Sequence, residues 1–179
     1  MPEPPPSVFR VWIDGSLESV WHEITRTDEP IAAFFNNRMH LSGALQPGSR
    51  LAMRTGSGKW TGVVGEILEV VPLVKFAHTF KFTAYDDPEC TVIYELEPKD
   101  GGVQFTLTVE NLPVGTKTGK NMSSGGKMIV NTLKRSVETG RPSFGIRALY
   151  VLFKVLEPIS PERCKSENWP IDGSRGTKS

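Results

Sequence analysis

Three histidines, His22, His40 and His78, are the residues best suited to proton transfer or metal ligation near neutral pH. They lie far apart in the chain. None has a second histidine or a carboxylate at ligand spacing on one element, so the spacing predicts no metal site. His78 differs from the others in its neighbours. Phe76, His78, Phe80 and Phe82 alternate with Lys75, Ala77, Thr79 and Lys81, which puts the imidazole among phenylalanines on one side of a strand. There a neutral ring can accept a proton or hold a ligand's oxygen, or it can be a core histidine satisfied by a backbone carbonyl. A cyclase or hydratase using His78 as base would need a second catalytic group, and the sequence names none. Enzymatic activity is therefore not the expectation.

Other motifs fail on inspection. Gly115-Thr116-Lys117-Thr118-Gly119-Lys120-Asn121 is one residue short of a phosphate-binding loop between its glycines. It also ends in Asn where the magnesium-binding hydroxyl belongs. The stretch reads instead as a loop before a helix, with glycines that let it move over a cavity mouth. No serine occupies Gly-x-Ser-x-Gly, and no Cys, His and acid form a nucleophile arrangement. Cys90 and Cys164 show no framework spacing, so neither a disulfide nor structural zinc is expected, and a reducing cytoplasm fits. Asp86-Asp87 and Glu95 with Glu97 read as a turn and an outward strand face. No cofactor is predicted.

Charge excludes one further class. The chain of 179 residues carries 21 Lys+Arg against 20 Asp+Glu, which gives no overall field for a polyanion, so nucleic acid is not an expected partner. The balance conceals an asymmetry: residues 1–98 hold 8 basic and 13 acidic side chains, residues 99–179 hold 13 and 7. Lys117, Lys120, Lys127, Lys134 and Arg135 fall between Glu110 and Glu138 with no acid among them. That run suits either a solvated helix face or an anionic partner.

The elements that must position these residues follow from periodicity. Val8 to Ile13 is β-branched and aromatic, Ser16 is a good N-cap, and Leu17, Val20, Trp21 and Ile24 recur at helical spacing over 17–26. Pro30 suits the first turn of a second, short helix. Strands are predicted at about 49–55, 60–71, 74–83, 90–97 and 102–110, with hairpin chemistry at Gly56-Ser57-Gly58 and Lys99-Asp100-Gly101-Gly102. Val103, Phe105, Leu107 and Val109 alternate with polar residues, as do Val92, Tyr94 and Leu96, so each strand has one apolar face. From Lys120 to Thr139 the period becomes helical, with Met122, Ile129, Leu133 and Val137 on one side, and Gly140-Arg141-Pro142 stops it. This order predicts an α+β helix-grip fold, a curved antiparallel sheet wrapped around a long C-terminal helix.

Ile13-Asp14-Gly15-Ser16-Leu17-Glu18-Ser19-Val20-Trp21, Gly65 to Pro72, Thr132-Leu133-Lys134 and Glu138-Thr139-Gly140 occur in an order that resembles one family. It is the activator of heat-shock-protein-ninety ATPase homologues, within the START and birch-pollen-allergen-like (SRPBCC) superfamily. The resemblance spans about residues 8–140. It implies a cavity between sheet and final helix, used across the superfamily for lipids, hormones, polyketides and other apolar molecules. Trp21, Phe76, His78, Phe80, Tyr94, Phe105, Ile129 and Leu133 are the candidate wall of that pocket, with His78 and Tyr94 as polar anchors. A small hydrophobic or amphipathic ligand is the expected partner, and a chaperone-associated or regulatory interaction module is the alternative. The resemblance covers one domain, without the N-terminal chaperone-binding domain of the eukaryotic activators, so it implies fold more directly than co-chaperone activity.

Both ends depart from this pattern. Residues 1–7, opening Met1-Pro-Glu-Pro-Pro-Pro, read as a flexible lead-in, and no stretch approaches the ~20 apolar residues of a membrane span. The C-terminal extension, 141–179, holds one amphipathic helix at about 145–156, where Ile146, Leu149, Tyr150, Phe153 and Leu156 share a face. Such a helix can pack on its own domain, on a second subunit as a homodimer contact, or on a membrane surface. Residues 160–179, rich in Ser, Pro, Gly and charge, are expected to trail over the surface or to be partly disordered.

Overall fold

A computed structural model describes residues 4–172. Seven strands form one antiparallel sheet: β1 (Ser7–Ile13), β2 (Arg38–Leu41), β3 (Arg50–Arg54), β4 (Thr61–Val71), β5 (Lys75–Phe82), β6 (Cys90–Lys99) and β7 (Gly102–Glu110). Their spatial order is β1-β7-β6-β5-β4-β3-β2, so the chain closes β1 onto the last strand and then meanders. Three helices complete the domain: α1 (Leu17–Thr25), α2 (Lys117–Thr139) and α3 (Phe144–Leu156). The fold is the α+β helix-grip architecture, with α2 lying across the apolar face of the sheet.

Local chemistry explains the boundaries. Ser16 caps α1 through a reciprocal bond with Ser19, and Thr116 caps α2 by accepting from the Gly119 amide at 3.1 Å. Gly140, at φ 74°, ends α2 in the left-handed conformation that glycine adopts without strain. The β6–β7 hairpin turns on Asp100 and Gly101, both at positive φ, as the sequence predicts.

Three expectations change. The segment 117–120, read as a mobile loop, is the first turn of α2, and a Cβ on Gly119 would stand 2.5 Å from the Pro113 carbonyl oxygen. The helix after Pro30 is one 3₁₀ turn, Ala32–Phe34, ended by Phe35 and Asn36 at positive φ. Strand β2 has no counterpart in the periodicity reading because four residues, two of them Arg38 and His40, are too short to show alternation.

The interior lies between α1, α2 and the concave sheet face. Cross-strand register places Phe76 opposite Tyr94, and Tyr94 opposite Leu107, on that face. Gly126 of α2 lets the helix sit close: a Cβ there would meet the Phe9 ring at 2.3 to 2.5 Å.

The extension docks as well, as far as it is described. Three 3₁₀ turns follow α3, and Lys165 bridges to Trp60. Arg50 Nη2 donates to the Ile171 carbonyl at 2.9 Å, Arg54 to that of Trp169 at 3.2 Å, and Arg163 Nε to that of Thr83 at 2.8 Å. Residues 160–172 therefore cover the face of β3 opposite Leu51 and Met53 and do not trail. The remainder of the predicted trailing segment, 173–179, lies outside the described residues.

Candidate ligand site

The predicted pocket wall is brought together, and it packs as core. Phe76, His78, Tyr94, Phe105, Ile129 and Leu133 are buried, while Trp21 and Phe80 are half-buried. Ring centroids lie 5.2 Å apart for Phe76 and His78, 5.6 Å for Phe76 and Tyr94, 5.7 Å for His78 and Tyr94 and 5.5 Å for Phe34 and Tyr94. These are ordinary aromatic packing distances. The side chains occupy the space between sheet and helix at this level.

His78 illustrates the consequence. Its ring is 1% exposed. The Thr79 carbonyl lies 2.7 Å from Nδ1 and can only accept, so Nδ1 carries the proton and Nε2 is left to accept from the Tyr94 hydroxyl at 3.4 Å. Burial outweighs the backbone bond and drives the imidazole pKa down to about 4. The ring is neutral near pH 7 and sealed from solvent, which suits a core histidine. Burial likewise raises the Tyr94 hydroxyl and pushes the Cys90 thiol up to about 11, so both stay protonated.

Open space lies elsewhere, between α3 and the domain body. A cleft of about 1080 Å³ is bounded by Pro30–Asn37, the β3–β4 hairpin and α3. Phe35, Tyr150, Val151, Phe153 and Leu156 give it apolar walls, and Arg141, Arg147 and Lys154 stand at its edge. Among the described residues none of these three cations is in an ion pair. Tyr150 fixes α3 across the cleft by donating its hydroxyl to the Ala32 carbonyl, and burial pushes that hydroxyl up to about 12. The helical face Ile146, Leu149, Tyr150, Phe153 was legible in the sequence. The role of Phe35 was not, since its placement depends on a left-handed backbone at 35 and 36 that no alternation pattern announces.

The remaining sequence candidates have structural duties. Asp87 Oδ2 accepts from the Thr118 amide at 2.9 Å, a bond that holds its carboxyl below the usual range and helps cap α2. Asp86 is lowered by its ion pair with Arg163. Lys134 of the basic run donates to the Trp12 carbonyl at 2.7 Å and pairs with Glu138, and Lys117 stands 5.4 Å from the Tyr85 ring centroid. That leaves Lys120, Lys127 and Arg135 as the exposed cations of the run without such a contact among the described residues. His40 is lowered by partial burial and then by Arg54 and Arg38. Among the described residues no cluster of three His, Cys, Asp or Glu is placed to hold a metal, and no helix is long and apolar enough to cross a membrane.

Sheet, long helix and stacked interior define a helix-grip domain. Residues 3–138 match the family model described as activator of Hsp90 ATPase homolog 1-like protein, and the chain belongs to that family. No curated protein is similar enough to match. Among solved structures, the Aha1 dimer from Colwellia psychrerythraea superposes with a TM-score of 0.61 at 17% identity, covering 76% of this chain and 98% of that one. CalU16 from Micromonospora echinospora gives 0.59 at 17%, covering 82% of each. The Hsp90 activator PFC0360w from Plasmodium falciparum gives 0.55 at 18%, covering 78% and 99%. At these identities the likeness is one of fold. The family match ends before α3, so the helix that walls the cleft lies outside it.

Proposed function

We propose that this chain is a binding domain for a small amphipathic molecule, held in the cleft between α3 and the body of the domain. The cleft itself carries the reading: its volume suits a ligand of drug or fatty-acid size, its walls are largely apolar, and a few polar groups stand at its edge. The aromatic cluster of Phe76, His78 and Tyr94 between sheet and helix is packed ring against ring, which favours the cleft over the interior as the place for a ligand. A panel of fatty acids and polyketides followed by thermal shift tests the proposal. A ligand at a hundredfold over its dissociation constant adds ~2.7 kcal/mol of stability. Ala32→Phe, which takes up cleft volume, should abolish the shift. No shift across the panel would refute it.

A second reading, a regulatory module acting on a chaperone, is supported by the family description and by the exposed cations Lys120, Lys127 and Arg135 on α2. It predicts that the chain raises the ATPase rate of purified Hsp90, and that charge reversal at Lys127 and Arg135 removes the effect. An unchanged rate with the wild-type chain would dispose of it.

A further inference from the structure

Helix α3 is apolar on more sides than its own domain can cover. Only Tyr150 of its thirteen residues is buried. Phe144 is 83% exposed, Val151 63%, Leu152 49% and Val155 68%, and Ile159 just beyond is 75% exposed. Positions 144, 148, 152 and 155 recur at the spacing of one helical face, opposite the face that docks through Tyr150, with Val151 between that face and the cleft. A helix apolar on both sides is ordinarily buried on both sides, so the outward face calls for a partner.

Charge decides which partner. From Thr139 to Leu156 the chain has no acid, and its only charges are Arg141, Arg147 and Lys154. Arg147 and Lys154, seven residues apart, run along one edge of the apolar face. Two copies joined through this face by a two-fold axis would set these cations against themselves, with no carboxylate on either helix to answer them. An anionic lipid surface answers them directly: apolar side chains enter the acyl boundary while Arg147 and Lys154 extend toward the headgroups. Thirteen residues rise only about 20 Å, short of the ~30 Å hydrocarbon core, so the helix would lie in the interface and not cross it.

We propose that α3 is an in-plane docking helix for an anionic membrane surface. The proposal does not depend on the cleft's holding a ligand, and Leu152 and Val155 do not line that cleft. Flotation of the full-length chain with vesicles of phosphatidylcholine containing about a third phosphatidylserine, against vesicles of phosphatidylcholine alone, tests it. Binding should be seen on the anionic vesicles and fall steeply with added salt. Leu152→Asp with Val155→Asp, both at exposed positions and so expected to leave the thermal midpoint unchanged, should abolish it. Arg147→Gln with Lys154→Gln should weaken it roughly 30-fold. No flotation on anionic vesicles would overturn the proposal, as would binding that is equal on both vesicle types. A concentration-dependent dimer in light scattering that Leu152→Asp with Val155→Asp splits, together with no flotation, would assign the face to a second copy instead.

Discussion

Tyr94 donates its hydroxyl to Nε2 of His78 at 3.4 Å, across a fully buried contact between neighbouring strands β5 and β6. The Thr79 carbonyl holds the ring proton on Nδ1 and burial keeps the imidazole a neutral acceptor, a state whose cost appears when protons become abundant. The ring titrates at about 4 in the folded chain against 6.5 when unfolded, so between these values the unfolded chain binds the extra proton. Stability is therefore complete above about pH 6.5, falls as pH drops, and levels off near pH 4, a loss on the order of 3 kcal/mol from this residue. His78→Phe should remove that part of the slope in urea unfolding between pH 7 and pH 4.5. The variant also strands the Tyr94 hydroxyl, at a cost that is the same at both pH values, so the slope separates the two effects. An unchanged slope would mean the ring is not held neutral.

Helix α2 carries adjacent glycines whose substitutions should have opposite signs. Gly→Ala inside a helix ordinarily gains about 1 kcal/mol. At Gly125 the new Cβ would lie 3.6 Å from the Phe35 ring, an ordinary contact, so Gly125→Ala should stabilise by roughly that amount. At Gly126 it would meet the Phe9 ring at 2.3 to 2.5 Å, and overpacking of about 1 to 3 kcal/mol should outweigh the helical gain. Paired chemical denaturation curves check this, and a stabilised Gly126→Ala would show that Phe9 can swing aside.

Tyr150 is the pin of α3. Tyr150→Phe removes the hydroxyl that reaches the Ala32 carbonyl and should cost about 1 kcal/mol, felt locally. Tyr150→Ala should free the helix altogether. Hydrogen exchange of amides 144–156 should then accelerate while amides of β5, β6 and β7 keep their protection, because the sheet core makes no use of α3. If the sheet amides lose protection in step, α3 belongs to the global folding unit.

What the sequence made legible depended on range. The alternation of Phe76, His78, Phe80 with Lys75, Ala77, Thr79 revealed both β5 and its inward face, and the β5–β6 register puts Phe76 opposite Tyr94 as that reading requires. Burial of His78 followed from the same pattern. Whether the aromatic wall stands open or closes on itself depends on sub-ångström packing among rings from three strands and the turn holding Phe34, and periodicity is blind to that. The cleft escaped for a related reason. It is shaped by Phe35 and Asn36 in left-handed backbone and by an extension that folds back over a hundred residues to Arg50 and Thr61. Non-local closure of this kind leaves only composition as a trace, and the Ser, Pro and charge of residues 160–172 read as a solvated tail.

That tail supplies the last prediction. Cys164 and Ile171 are buried against the domain, Ser166 accepts from Thr61 Oγ1 at 3.0 Å and donates to the Gly58 carbonyl at 2.7 Å, and Arg50 and Arg54 spend guanidinium donors on the carbonyls of Ile171 and Trp169. Arg38 and Arg54, directly opposite each other on β2 and β3, would otherwise face solvent as a like-charged pair. Removing residues 160–179 should therefore cost roughly 2 to 4 kcal/mol, from lost burial of Ile171 and the stranded hydrogen bonds. Ile171→Ala alone should reproduce much of that loss, about 2 kcal/mol, with the backbone contacts left in place. The measurement is the urea midpoint, with dye binding to report newly exposed apolar surface. A truncated chain with an unchanged midpoint would show that residues 160–172 lie on the sheet without holding it, and that β3 and β4 are stable by their pairing alone.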